Sequence, residues 1–171
     1  MPGSLMMWQT KNIVLCGIIT ALAAVCSYVE ALIPFSFGVP GIKLGLANVV
    51  IVFALFTMGF RWAVLISFLR IALVSSLFGN VTMALYSMAG ALLSLVVMEA
   101  LHRTGWFSIV GISAAGGVFH NIGQLLVAVF VVETPGLFGY LPVLIGAGTV
   151  TGVVIGIITA TAGAHVMRIR I

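Results

Sequence analysis

A few polar side chains stand inside otherwise apolar stretches of this chain, and their types define the chemistry open to it. Arg70 lies in "FLRIALVSSLFGN", His120, Asn121 and Gln124 lie in "FHNIGQLLVA", and Lys43 and Asn48 lie in "GIKLGLANVV". A guanidinium or an ammonium holds an anion, while amides and an imidazole supply both donors and acceptors. Positions 120, 121 and 124 share one face of a helix. Lys43 follows "GVPG" at the start of a predicted helix, where unpaired backbone N–H groups and the helix dipole already favour negative charge. With Glu30 and Asn80, these residues form the candidate set for binding a polar or anionic solute.

Catalytic patterns are missing. The three acidic residues are Glu30, Glu99 and Glu133, which form no dyad in the sequence, and there is no aspartate to build an Asp-rich magnesium site. No Walker sequence, HExxH or GxSxG occurs. Cys16 and Cys26 are ten residues apart on one predicted helix, or ~15 Å, which is beyond disulfide reach. The reading is a binding protein with no catalytic residues, no metal and no cofactor.

The elements that must position these groups follow from composition. Of 171 residues, 63% are hydrophobic and 6% charged, against roughly 25% charged in soluble domains. Apolar stretches long enough to span lipid recur throughout, so the chain is expected to be an all-α, multi-pass integral membrane protein in contact with lipid. Its net charge of +4 is scattered singly and forms no stripe for nucleic acid. The first apolar run is longer than a signal-peptide core and leads into further membrane segments, so the N-terminus is expected to be retained. Breaks in the pattern predict one membrane domain, 1–171, of six helices at about 11–33, 43–59, 61–78, 81–101, 109–132 and 141–165.

Charge asymmetry orients this bundle. One set of helix ends carries Lys11, Arg61, His102 with Arg103, and Arg168 with Arg170; the other carries Lys43 alone, beside Glu30 and Glu133. The positive-inside rule then places both termini in the cytoplasm, across the cell membrane. Arg70 falls ~14 Å and His120 about 16 Å from the inner ends of their helices. Glu30, Lys43, Asn48 and Asn80 fall near outer ends, so the polar set shares the outer half of the bundle. That suits a solute pocket opening outward. Each group also has a plainer reading. Arg70 could pair with Glu30, the helix-five residues could tie helices together, and Lys43 could reach the interface as a snorkelling cation. Glu99 and Arg103 are spaced for a local salt bridge, and the methionines look like packing residues. On helix one, Gly17, Thr20, Ala21 and Ala24 form a small-residue stripe, suited either to internal packing or to docking another membrane protein.

The segments "GIKLGLANVV", "FLRIALVSSLFGN", "LYSMAGALLSLVVMEAL" and "SIVGISAAGGVFHNIGQLLVA" resemble the Gx transporter family, also labelled heptaprenyl diphosphate synthase component I. The likeness follows helices one to five in order and is most specific in "KLGLAN" and "HNIGQ". It implies the six-helix fold of the substrate-binding S components of energy-coupling factor (ECF) vitamin transporters. In those systems a transmembrane scaffold and two ATPases drive uptake, and an Ala-x-x-x-Ala pattern on helix one docks the scaffold. Ala21 and Ala24 lie near that pattern here, with Gly17 and Thr20 as partners. The synthase label implies a part in polyprenyl diphosphate and menaquinone formation. A related member is similar in context to flavin-linked extracellular electron transfer systems. The implied solutes are a flavin or other vitamin precursor, or an isoprenoid or quinone-type molecule, and the sequence leaves these open. Two functions are expected: a substrate-binding subunit of an uptake transporter, or a non-catalytic membrane subunit of a polyprenyl synthase or electron transfer system.

Overall fold

The protein is seen as a computed structural model that describes residues 2–32 and 45–167. Lys43, Arg168 and Arg170 lie outside the described residues. The described chain is helical: α1 (Pro2–Leu32), α2 (Leu46–Met58), α3 (Phe60–Phe78), α4 (Val81–Thr104), α5 (Ile109–Val132), a 3-10 turn at Pro135–Tyr140, and α6 (Leu141–Met167). Local chemistry sets the breaks. Gly59 (φ 91°) turns α2 into α3, and its N–H caps the carbonyls of Ala54 and Leu55. Asn80 Oδ1 accepts from Met83 N at 2.8 Å to open α4, and Ser108 Oγ accepts from Gly111 N at 3.2 Å to open α5. Each is a helix N-cap in the usual sense, satisfying an N–H that has no partner within the helix.

Five helices are long and apolar enough to cross a membrane, and the chain is a multi-pass membrane protein. The sixth, α2, differs from expectation. Its 13 residues cover ~20 Å, short of a ~30 Å hydrocarbon core. It is instead an inner helix, packed on α1, α3 and α6. The others follow one another around it: α1 on α3, α3 on α4, α4 on α5, α5 on α6. Large apolar side chains such as Leu77, Val81 and Phe130 point outward, as they should where the surrounding solvent is lipid.

The two halves of the bundle are filled differently. Towards the end that carries Lys11, Arg61 and Arg103, a packed core joins Cys16, Ile19, Ile51, Leu55, Ile66, Leu95, Met98 and Ile112. Close backbone approach holds α5 to α6 along its length and α4 to α5, and towards the other end a hollow is left between the helices. A Cβ on Gly148 would lie 2.7 Å from Gly117 O and 2.9 Å from Val118 Cα, and one on Gly123 would lie 2.7 Å from Ala89 O. The stretch Gly148-x-x-x-Gly152-x-x-x-Gly156 thus seats α6 directly on α5, and Gly123 seats α5 on α4. Without a hydrophobic drive between helices in lipid, such contact is what holds membrane helices together.

Candidate functional site

The hollow is a cavity of about 110 Å³ at the end where α1, α3 and α5 finish and α2, α4 and α6 begin. All six helices line it. Glu30, Asn48, Arg70, His120, Asn121 and Gln124 meet there, six of the eight residues singled out as solute ligands. Asn80 is not among them: its side chain is occupied as the α4 cap. A polar residue at a helix start serves a cap as readily as a pocket, and here the cap takes it. Lys43 falls outside the described residues.

Arg70 reaches the cavity from the middle of α3. Its Nη1 donates to Ser27 Oγ at 3.1 Å, while its Nε is buried with no hydrogen-bond partner. The expected pairing with Glu30 is not a direct contact. Among the described residues the ion pair is Arg103 Nε with Glu99 Oε1, at 2.8 Å. Glu30 Oε1 instead accepts from Gly45 N, tying the end of α1 to the start of α2. Gly45 takes a left-handed φ of 75° there, a conformation that favours glycine. The guanidinium therefore faces a polar cavity with part of its donor capacity unmatched.

On α5 the three polar residues divide their work. Asn121 Nδ2 donates to Leu144 O at 2.8 Å, so it does act as an interhelical tie, to the first turn of α6. His120 Nε2 and Gln124 Nε2 lie 3.1 Å apart, one turn apart on the wall; the imidazole tautomer sets which nitrogen donates. Val74, Phe78, Met83 and Ile155 complete the lining with apolar surface, and the Phe78 ring packs at a tilt on Tyr28, with centroids 4.7 Å apart, at the rim. The cavity can thus hold a molecule with a polar or anionic part near Arg70 and an apolar part near the rim.

Sequence reasoning missed Ser27, Ser75, Ser87 and Thr151 in the lining. It also missed a smaller void beneath, of about 20 Å³, bordered by Ser67, Ser94 and Ser113 together with Asn48 and His120. The signal was helical spacing from known members: Ser113, His120 and Gln124 recur at one face, as do Ser87 and Ser94, or Ser27 and Glu30. The helix-one stripe splits in two. Thr20 is buried and Ala24 half-buried, whereas Gly17 and Ala21 are exposed, and no atom would lie within 4 Å of a Cβ on Gly17. Thr20 and Ala24 pack within the chain; Gly17 and Ala21 face outward.

Residues 19–162 match a protein family described as heptaprenyl diphosphate synthase component I. The chain belongs to this family. The matched region includes every cavity-lining residue named above. No curated protein and no solved structure matches the chain. As a member of the heptaprenyl diphosphate synthase component I family built as an apolar helical bundle, it is a membrane subunit named as one component of a larger system.

Proposed function

We propose that the chain is the solute-binding membrane subunit of an uptake transporter of the ECF type and catalyses no reaction itself. The observation that carries this reading is Arg70: a guanidinium held inside the bundle, without an ion pair among the described residues, on the wall of a polar cavity. A charge at such depth is costly and is usually kept for a ligand or a pathway. The solute would set an anionic or strongly polar part against Arg70, Asn48, His120 and Gln124, with Lys43 as a further cation. Its apolar part would lie along Val74, Phe78 and Met83. Vitamin-like compounds such as flavins, and quinone- or isoprenoid-related molecules, share that division. With both termini in the cytoplasm, the cavity opens away from it, in the cell membrane.

The family name favours a second reading, a non-catalytic membrane subunit of a polyprenyl diphosphate synthase. Purification from the native membrane in mild detergent separates the two. Under the first, ATPase subunits and a membrane scaffold accompany the chain, and mass spectrometry of the retained small molecules finds a solute that Arg70→Met loses. Co-purification of a soluble prenyl synthase, with no retained solute, would reject the transport reading.

A further inference from the structure

Between the first half of α3 and the middle of α4 the lipid-facing surface opens into another hollow, of about 460 Å³. Val64, Leu65 and Phe68 form one wall, Met88 and Leu92 the other, and Arg61 stands at one end. Leu65, Phe68 and Leu92 are 42%, 53% and 46% exposed, so none of the described residues covers the face. From Arg61 to Phe68 is seven residues, ~10 Å along the helix, about a third of the hydrocarbon thickness. Trp62 adjoins Arg61, and Arg103 and Trp106 stand exposed at the same end of the bundle. Basic and indole side chains gathered at helix ends mark the headgroup level. The hollow therefore starts at the headgroups and runs inward, apolar except for the buried Ser67 hydroxyl along its floor and one cation at the interfacial end.

That cation is available. Arg103 is engaged by Glu99, whereas Arg61 has no ion pair among the described residues. An apolar transmembrane helix of another protein would match the slot but not the arginine at its mouth. A molecule with a long apolar chain and a phosphate at its end matches both features, and basic sites between membrane helices recognise such headgroups. We infer that the α3–α4 hollow is a binding site for one anionic phospholipid, with an acyl chain between the helices and its phosphate against Arg61. The site is separate from the polar cavity and does not depend on the solute proposed there.

The test uses the full chain reconstituted in bilayers of phosphatidylcholine with a minority of phosphatidylglycerol, then released into mild detergent for native mass spectrometry. The parent is expected to retain one phosphatidylglycerol per chain in preference to phosphatidylcholine. Arg61→Gln and Leu92→Trp should each cut the retained fraction tenfold or more, Arg61→Lys should restore most of it, and Arg103→Gln should leave it unchanged. Residues 61 and 92 are exposed, and a far-ultraviolet helix signal equal to the parent's confirms that the variants fold. Equal retention by Arg61→Gln and the parent overturns the proposal, as does an equal loss in Arg103→Gln. Retention of phosphatidylcholine as readily as phosphatidylglycerol, displacement by an equimolar prenyl diphosphate, or a lipid-free dimer seated through this face would overturn it as well.

Discussion

Replacing Arg70 by methionine separates a binding role from a structural one through the sign of its effect on stability. In the solute-free protein, Arg70 Nε is buried without a partner, a condition that costs about 1–3 kcal/mol. The substitution removes that cost. It also removes the 3.1 Å bond from Nη1 to Ser27 Oγ, a charge-assisted contact worth about 1.5–3 kcal/mol. Ser27 is not stranded, because its hydroxyl still donates to Ala23 O at 3.0 Å. The two effects nearly cancel, and exchanging a buried charge for an apolar side chain of similar length is commonly neutral or stabilising. The expected change without solute lies between zero and a gain of about 2 kcal/mol, or up to ~8 °C in Tm for a chain of this length. Affinity for the solute that the parent retains should fall roughly a hundredfold, about 2.7 kcal/mol. Thermal unfolding in detergent can be followed with a thiol-reactive dye in a Cys26→Ser background, since Cys26 is only partly buried while Cys16 is buried against the core and becomes reactive only as α1 releases. Were Arg70 the anchor of a structural network, its loss would cost about 3–5 kcal/mol and lower Tm by roughly 6–20 °C. A drop of that size, with binding lost in parallel, would refute the reasoning.

Two glycines in one helix make a matched pair. A Cβ on Gly148 meets only backbone of α5, whereas one on Gly146 meets nothing within 4 Å. Gly148→Ala is expected to lower stability by about 1–3 kcal/mol and Gly146→Ala to leave it equal or slightly higher; equal melting of both in the dye assay would contradict the packing described. Gly17→Leu projects into open space, so fold and solute retention should match the parent while cellular uptake falls. Unchanged uptake would remove α1 as the docking face. A reporter fused after Ile171 should read cytoplasmic, and a periplasmic or extracellular signal would invert the proposed orientation.

Helix placement was largely legible because each break is marked by a residue with a local job. Gly59 supplies a positive φ, and Asn80 and Ser108 supply caps, so the apolar pattern and the punctuation agree. The convergence of Arg70, His120 and Gln124 was legible from depth alone, since in an up-and-down bundle equal distances from the helix ends bring side chains to one level. What depth could not show is how a polar group spends its bonds. Glu30 and Arg70 lie at compatible levels, yet Glu30 turns to Gly45 N, a partner that exists only once α2 is seated. Asn121 likewise turns to a carbonyl of α6. The glycine ladder of α6 was readable in "GTVTGVVIG" but went unread, because a small-residue stripe says that something comes close without saying what. On helix one the same signal proved half internal and half external.

The cavity also bears on how the two functional readings relate. On the proposed orientation a soluble partner meets the bundle only at the end with Lys11, Arg61 and Arg103, and Arg70 stands nine residues beyond Arg61, ~14 Å further in. Ile51, Ile66, Leu95 and Ile112, all buried, belong to the core filling that half. On that orientation the packed core lies between a soluble synthase and the cavity, which favours the proposed solute-binding role over a direct part in synthase chemistry. A solute arriving from the opposite side would meet the rim residues Phe78, Gly79 and Met83, and beneath the cavity only the smaller void of about 20 Å³ that Ile51 and Leu95 border. To leave on the basic side it must part those four side chains, and exposing each to water costs about 1.5–3 kcal/mol, on the order of 10 kcal/mol together. Solute binding at the pocket does not supply that work, so the bundle should bind without leaking. Release then requires a partner that deforms the bundle, and the open Gly17–Ala21 face of α1 leaves room for one to press against the helix whose Cys16 and Ile19 form part of that core.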